Sequence, residues 1–133
     1  PLASGTAASG DRDALGMSVA PEFKLRMRIT QGDLIAIGPG KIALLEALDE
    51  AGSITAAAKA LGMSYRRAWL LIDELNQSLR APAVVTAAGG AQGGGSRLTD
   101  SGRALVTLYR EIEAEAQAHC AGRIGQLMRM LAE

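Results

Sequence analysis

Aromatic side chains are scarce in this chain: one Phe, two Tyr and one Trp among 133 residues. The core must therefore be aliphatic, built from Leu, Ile, Met and Ala, and such side chains favour closely packed helices. One cysteine, Cys120, and one histidine, His119, exclude a disulfide framework and a structural zinc site. A reduced, cytoplasmic setting is the expectation. No apolar run approaches the roughly 18 residues that read as a membrane span. An excess of charge of one sign is also missing. Lys plus Arg number 14 and Asp plus Glu 14, so a nucleic-acid role would need a local basic patch. The length fits one domain with a single core. Residues 1–20 hold no hydrophobic signal-peptide core and read as a flexible leader to a domain over 21–133.

Hydropathy patterning supplies the elements. "FKLRMRIT" (residues 23–30) alternates strictly, with Phe23, Leu25, Met27 and Ile29 on one side and Lys24, Arg26, Arg28 and Thr30 on the other. That is the period of a half-buried strand with a basic outer face. After a turn at Gln31 to Asp33, Leu34 to Ile37 form a short apolar continuation. Pro39 suits a helix start, Ile42, Leu44, Leu45 and Leu48 form its stripe, and Gly52 stops it. Ser53 caps a short second helix ended by Gly62. Ser64 caps a third, from about Tyr65 to Leu79, with Ala68, Leu71, Ile72, Leu75 and Leu79 buried.

Pro82 blocks further helix. "AVVT" (residues 83–86) and "SRL" (residues 96–98) read as short strands around "AGGAQGGGSRL", which holds five glycines between Gly89 and Gly95. A last long helix starts at Thr99 or Asp100. Its stripe runs through Leu105, Leu108, Ile112, Ala116, Ile124, Leu127 and Leu131, with Gly122 and Gly125 as expected breaks. The acidic run Glu111, Glu113 and Glu115 reads as a solvated face.

The central signal is "GSITAAAKALGMSYRRAWLLIDEL", Gly52 to Leu75. Ala58 stands four residues before Gly62. Two helices that cross closely need a small residue at the crossing and a glycine at a left-handed turn. Leu61, Met63, Ala68 and Leu71 are expected to fix the crossing. The second helix then exposes Ser64, Tyr65, Arg66 and Arg67 at its N-terminus, with Trp69 and Leu70 at the margin. Arginines there suit the major groove, and the helix N-terminus suits phosphate. A lone tryptophan, however, more often packs in a core or between domains than touches a base.

Other motifs fail their own requirements. "GPGK" (residues 38–41) has Ile35 where a phosphate loop needs glycine, and Ile42 where it needs Ser or Thr. It reads as a helix start. The glycines of 89–95 lead into a β-prone piece, not a helix. His119 and Cys120 have no ligand partners, and no nucleophile has a general base. No catalytic residue, metal site or cofactor is expected. A helix-turn-helix followed by a two-stranded hairpin is a winged helix, an α+β arrangement that is mainly helical. The glycine stretch is then the wing, in preference to a linker, because short strands flank it on both sides.

"GSITAAAKALGMSYRRAWLLIDELNQ" with "GGAQGGGSRLTDSGRALVTLY" resembles the N-terminal DNA-binding domain of the ModE molybdate-responsive regulators, over about residues 23–120. Its helix-turn-helix is also similar to that of LysR-type regulators. The resemblance implies a winged-helix repressor or activator that dimerises through its first strand and long last helix. Two departures matter. The family's wing reads Gly-Gly-Lys followed by four glycines, whereas here Ala91 and Gln92 replace the lysine and the next glycine. The family senses molybdate through C-terminal oxyanion-binding domains, which a chain ending at Glu133 is expected to lack, so molybdate binding is not carried over.

The resulting expectation is a homodimeric, sequence-specific DNA-binding regulator acting on a palindromic duplex. Ser64, Tyr65, Arg66 and Arg67 would enter the major groove. Arg97 and the backbone of Gly93 and Gly94 would hold phosphate, with Lys59 as a weaker contact. Leu105, Leu108 and Ile112 would pack either on the domain or across a dimer. The alternative is a winged-helix module for protein–protein contact or an adaptor, which the zero net charge and the missing wing lysine favour.

Overall fold

A computed structural model describes residues 19–87 and 95–132. The chain divides into two compact units, one from Arg26 to Glu113 and another that includes the residues from Ala114 onward.

β1 (Ile29–Gln31) and β2 (Leu34–Ile37) form an antiparallel hairpin, with Thr30 opposite Ile35 and Ile29 opposite Ile37. The strand expected over residues 23–30 is realised only at its end. A strand needs a partner for its backbone donors and acceptors, and β2 pairs back only as far as Ile29. Residues 23–28 have no regular structure; Leu25 and Met27 are partly covered while Phe23 and Ile29 are exposed.

Local signals then set three helices. α1 (Pro39–Ala51) begins with Pro39 in its first turn and ends at Gly52, whose φ of 79° is the left-handed conformation glycine allows. α2 (Ile54–Ala60) is capped by Ser53, whose Oγ accepts from the Ala56 N–H at 3.1 Å. α3 (Tyr65–Ser78) is capped in the same way by Ser64, which accepts from the Arg67 N–H at 3.1 Å. One core joins them: Leu44, Leu45 and Leu48 from α1, Ala57 and Ala58 from α2, and Ala68, Ile72 and Leu75 from α3. It is aliphatic, as the lack of aromatics requires.

β3 (Val84–Thr86) and β4 (Ser96–Leu98) pair antiparallel, with Val85 opposite Arg97. Ala83, Val84 and Leu98 turn into the core. The arrangement is a winged helix, and the glycine-rich stretch connects two paired strands of one hairpin. Its tip, Gly93 and Gly94 included, lies outside the described residues.

α4 (Asp100–His119) is capped by Thr99, whose Oγ1 accepts from the Gly102 N–H at 3.0 Å. A separate α5 (Ala121–Met128) follows. The break falls at Cys120, not at Gly122 or Gly125, which lie inside α5. Cys120 has φ −98° and ψ 8°, yet the hydrogen bonds from Cys120 N–H to Ala116 and from Ile124 N–H to Cys120 persist across it. Leu105 packs against the core, whereas Leu108 and Ile112 are 59% and 52% exposed. The side chain that α4 buries is Tyr109, which the apolar stripe missed because its hydroxyl donates to the Met27 carbonyl at 2.8 Å. Burial, and then the Glu113 carboxylate, push this phenol above its ordinary value. Glu113 is largely covered and pairs with Arg110 at 2.7 Å, so the acidic run is solvated only at Glu111 and Glu115. Among the described residues, no helix is long and apolar enough to cross a membrane.

Candidate nucleic-acid interface

The helix-turn-helix is built on two small buried residues and one glycine. Ala57 and Ala58 are buried where α2 packs against α3, and Ala68 faces them from α3. Gly62 has φ 69°, a conformation that strains a side-chain-bearing residue. The Met63 N–H returns to the Ala58 carbonyl at 3.0 Å and closes the turn. Met63 and Leu71 pack on the core as expected. Leu61 does not; it sits at the C-cap of α2 and is exposed.

The Ser64 cap fixes where α3 starts, and with it which side chains leave the core. Ser64, Tyr65, Arg66 and Arg67 are all exposed, as is Lys59 on α2. Trp69 is 46% exposed, Leu70 43% and Tyr65 54%, so the lone tryptophan is not a core residue. The reason is register. Core positions Ala68, Ile72 and Leu75 take one face of α3, and position 69 is about 100° away from 68 around a helix of 3.6 residues per turn.

The balance of charge over the whole chain hides a local excess. From Ala51 to Ile72 the sequence holds no carboxylate and three cations, Lys59, Arg66 and Arg67. None of the three, nor Arg97, forms an ion pair with a described residue. Free cations are what a polyanion can engage without first breaking an internal pair.

Arg97 stands on a different element, exposed on β4. The hairpin that carries it is tied to α3 by Asn76. The Asn76 Oδ1 accepts from the Ala83 N–H at 2.8 Å and from the Val84 N–H at 3.3 Å, and its Nδ2 donates to the Val84 carbonyl at 3.1 Å. One amide thus satisfies three backbone groups of the hairpin's first arm. No periodicity marks Asn76; its role follows only from the chain's return after Pro82. The structure therefore brings Lys59 and Ser64 to Arg67 together on one helix-turn-helix, attaches Arg97 through the hairpin, and sets Leu108 and Ile112 apart on α4.

Comparison with known proteins agrees with this geometry. Residues 40–103 match the family described as bacterial regulatory helix-turn-helix protein, lysR family. The chain is 44% identical over 99 residues to the molybdenum transport protein ModE of Azotobacter vinelandii, covering 74% of this chain and 37% of that protein. It is 45% identical over 78 residues to the molybdenum-pterin-binding protein MopB of Rhodobacter capsulatus, covering 59% and 29%. It is 44% identical over 71 residues to the DNA-binding transcriptional dual regulator ModE of Escherichia coli K12, covering 53% and 27%. The chain thus spans little more than a third of the first of these relatives and less of the other two.

Proposed function

We propose, from the match of residues 40–103 to the lysR helix-turn-helix family, that this chain is the DNA-binding part of a homodimeric, ModE-like transcription regulator. The observation that carries the reading is the carboxylate-free, cationic run from Ala51 to Ile72, which spans the turn and the first half of α3. Arg66 and Arg67, freed from the core by the Ser64 cap, enter the major groove, where guanidinium groups bond guanine edges. Lys59 and Arg97 hold phosphate. Arg97 takes on more of that task here, since Ala91 stands where the family's wing has lysine.

Leu108 and Ile112 are large apolar side chains left exposed on α4, and the proposal assigns them to a seam with a second copy. Leu105 packs inward and supports that face. Two-fold symmetry then calls for a palindromic site with half-sites about one helical turn or a multiple apart. The names of the first two relatives attach them to molybdenum, and that of the third to DNA-binding transcriptional regulation. The matched part of this chain is its helix-turn-helix region, so the proposal stops at DNA binding and includes no catalytic step.

Selection of bound sequences from a random duplex pool tests the reading, followed by band shifts with Arg66→Ala and Arg67→Ala. The expected result is a palindromic consensus, bound with a steep salt dependence and lost in both variants while helicity is retained. Weak binding that ignores sequence and salt would overturn it. The same experiment tests the seam: Leu108→Glu with Ile112→Glu should sediment as a monomer and lose affinity for the full palindrome.

A further inference from the structure

Tyr65, Trp69 and Leu70 are a puzzle on a helix that otherwise sorts its residues well. The face of α3 opposite a core is normally polar, yet about half of each of these three side chains is open to solvent. Tyr65 and Trp69 are four residues apart and share one stripe; Arg66 and Leu70 are four apart and share the next. Apolar and cationic side chains are therefore interleaved over the first turns of α3. Asp73 and Glu74, the first carboxylates after Ala51, come only past this patch; Asp73 accepts from Gln77 at 2.9 Å and Glu74 pairs with Lys41.

In the proposed complex this patch faces the major groove. The arginines there have hydrogen-bonding partners on guanine and phosphate. The apolar surface has one chemical counterpart on the base edges, the C5-methyl of thymine. Resting on the DNA-binding reading, we infer that Trp69, flanked by Tyr65 and Leu70, reads thymine methyl groups, and that each half-site places thymine beside the guanine contacted by arginine. Specificity at that position comes from burying a methyl group, not from a hydrogen bond.

Replacing thymine by uracil isolates this contact, because it removes the methyl and leaves pairing and the O4 acceptor unchanged. The duplex used is the consensus selected by the full chain, with uracil placed at one thymine at a time. Affinity should fall about fourfold at each contacted position, the loss expected for one buried methyl(ene) group. In Trp69→Ala the preference for thymine over uracil should vanish at one position per half-site or more. In Arg97→Ala, which removes a phosphate contact, the overall affinity should fall while the thymine preference remains. A tryptophan that only supports the fold would weaken binding to both duplexes equally and keep their ratio, and that result would overturn the inference. So would a wild-type protein that binds every uracil duplex as tightly as the thymine one. Failure to select any consensus would instead remove the DNA-binding reading itself, and this inference with it.

Discussion

The ammonium group of Lys41 lies 3.2 Å from a carboxylate oxygen of Glu74 and 2.5 Å from the carbonyl oxygen of Ile35. With 6% of Lys41 exposed, a charge from the "GPGK" helix start is held inside the fold and joins β2, α1 and α3. Its partner Glu74 is about half exposed. The two ends of this pair are thus unequal, and their removal has unequal consequences.

Glu74→Ala leaves a buried ammonium with one carbonyl, whereas Lys41→Met removes the charge and keeps most of the apolar stem. Breaking a buried pair from one side costs roughly 3–5 kcal/mol, and replacing the charge by an apolar group far less. The carboxylate is half solvated, which places Glu74→Ala at the lower end of that range. Denaturant melts should rank Glu74→Ala below Lys41→Met in stability. The reverse order would show that Ile35 alone satisfies the ammonium.

Gly102 meets the hairpin at a closer approach than any side chain permits. A Cβ there would lie 2.2 Å from the Ala83 carbonyl oxygen. That oxygen already accepts the Thr99 N–H at 2.9 Å, while the Thr99 hydroxyl donates to Pro82 at 2.6 Å. Gly102→Ala must push the start of α4 off the strand. The expected loss is about 2 kcal/mol or more, read as a melting temperature lower by roughly 10 °C for a domain of this size.

Arg110 grips Glu46 with two hydrogen bonds, at 2.6 and 2.9 Å, and so joins α4 to α1. The hydrogen bond from Arg110 holds the Glu46 carboxyl below its ordinary value, against the opposing effect of burial. Arg110 is pushed up and stays cationic. A lowered carboxyl contributes stability that is fully present above its unfolded value of 4.5 and is lost as pH falls through the folded one. Both side chains are more than a third exposed, so the contribution is discounted to about 1 kcal/mol or less. Melts at falling pH, starting from about pH 6, should show Glu46→Gln less stable at the upper end, with the gap to wild type closing as the carboxyl protonates. A constant gap would assign the loss to packing.

Features that act within a few residues could be read from the sequence. Ser53 and Ser64 cap helices through bonds to the third residue on, and Gly52 and Gly62 take the left-handed turn. Together they gave the helix-turn-helix and the set of side chains at the start of α3. Contacts made across the fold were not visible. Tyr109 is buried by a carbonyl far away in sequence, Lys41 by two other elements, and Trp69 was turned outward by the register of the core stripe. The alternation over residues 23–30 has the right period for a strand, but period does not supply a partner, and only its end found one.

If the proposed DNA binding holds, Asn76 limits the kind of duplex that fits. Its amide fastens the first arm of the hairpin to the body of α3, and β4 with Arg97 is paired to that arm, which couples the position of Arg97 to the helix. Contacts coupled in this way adapt less to the width of a groove, and more of that width falls to the duplex to supply. Sequences that bend or narrow at little cost would then be preferred even at base pairs that no side chain touches.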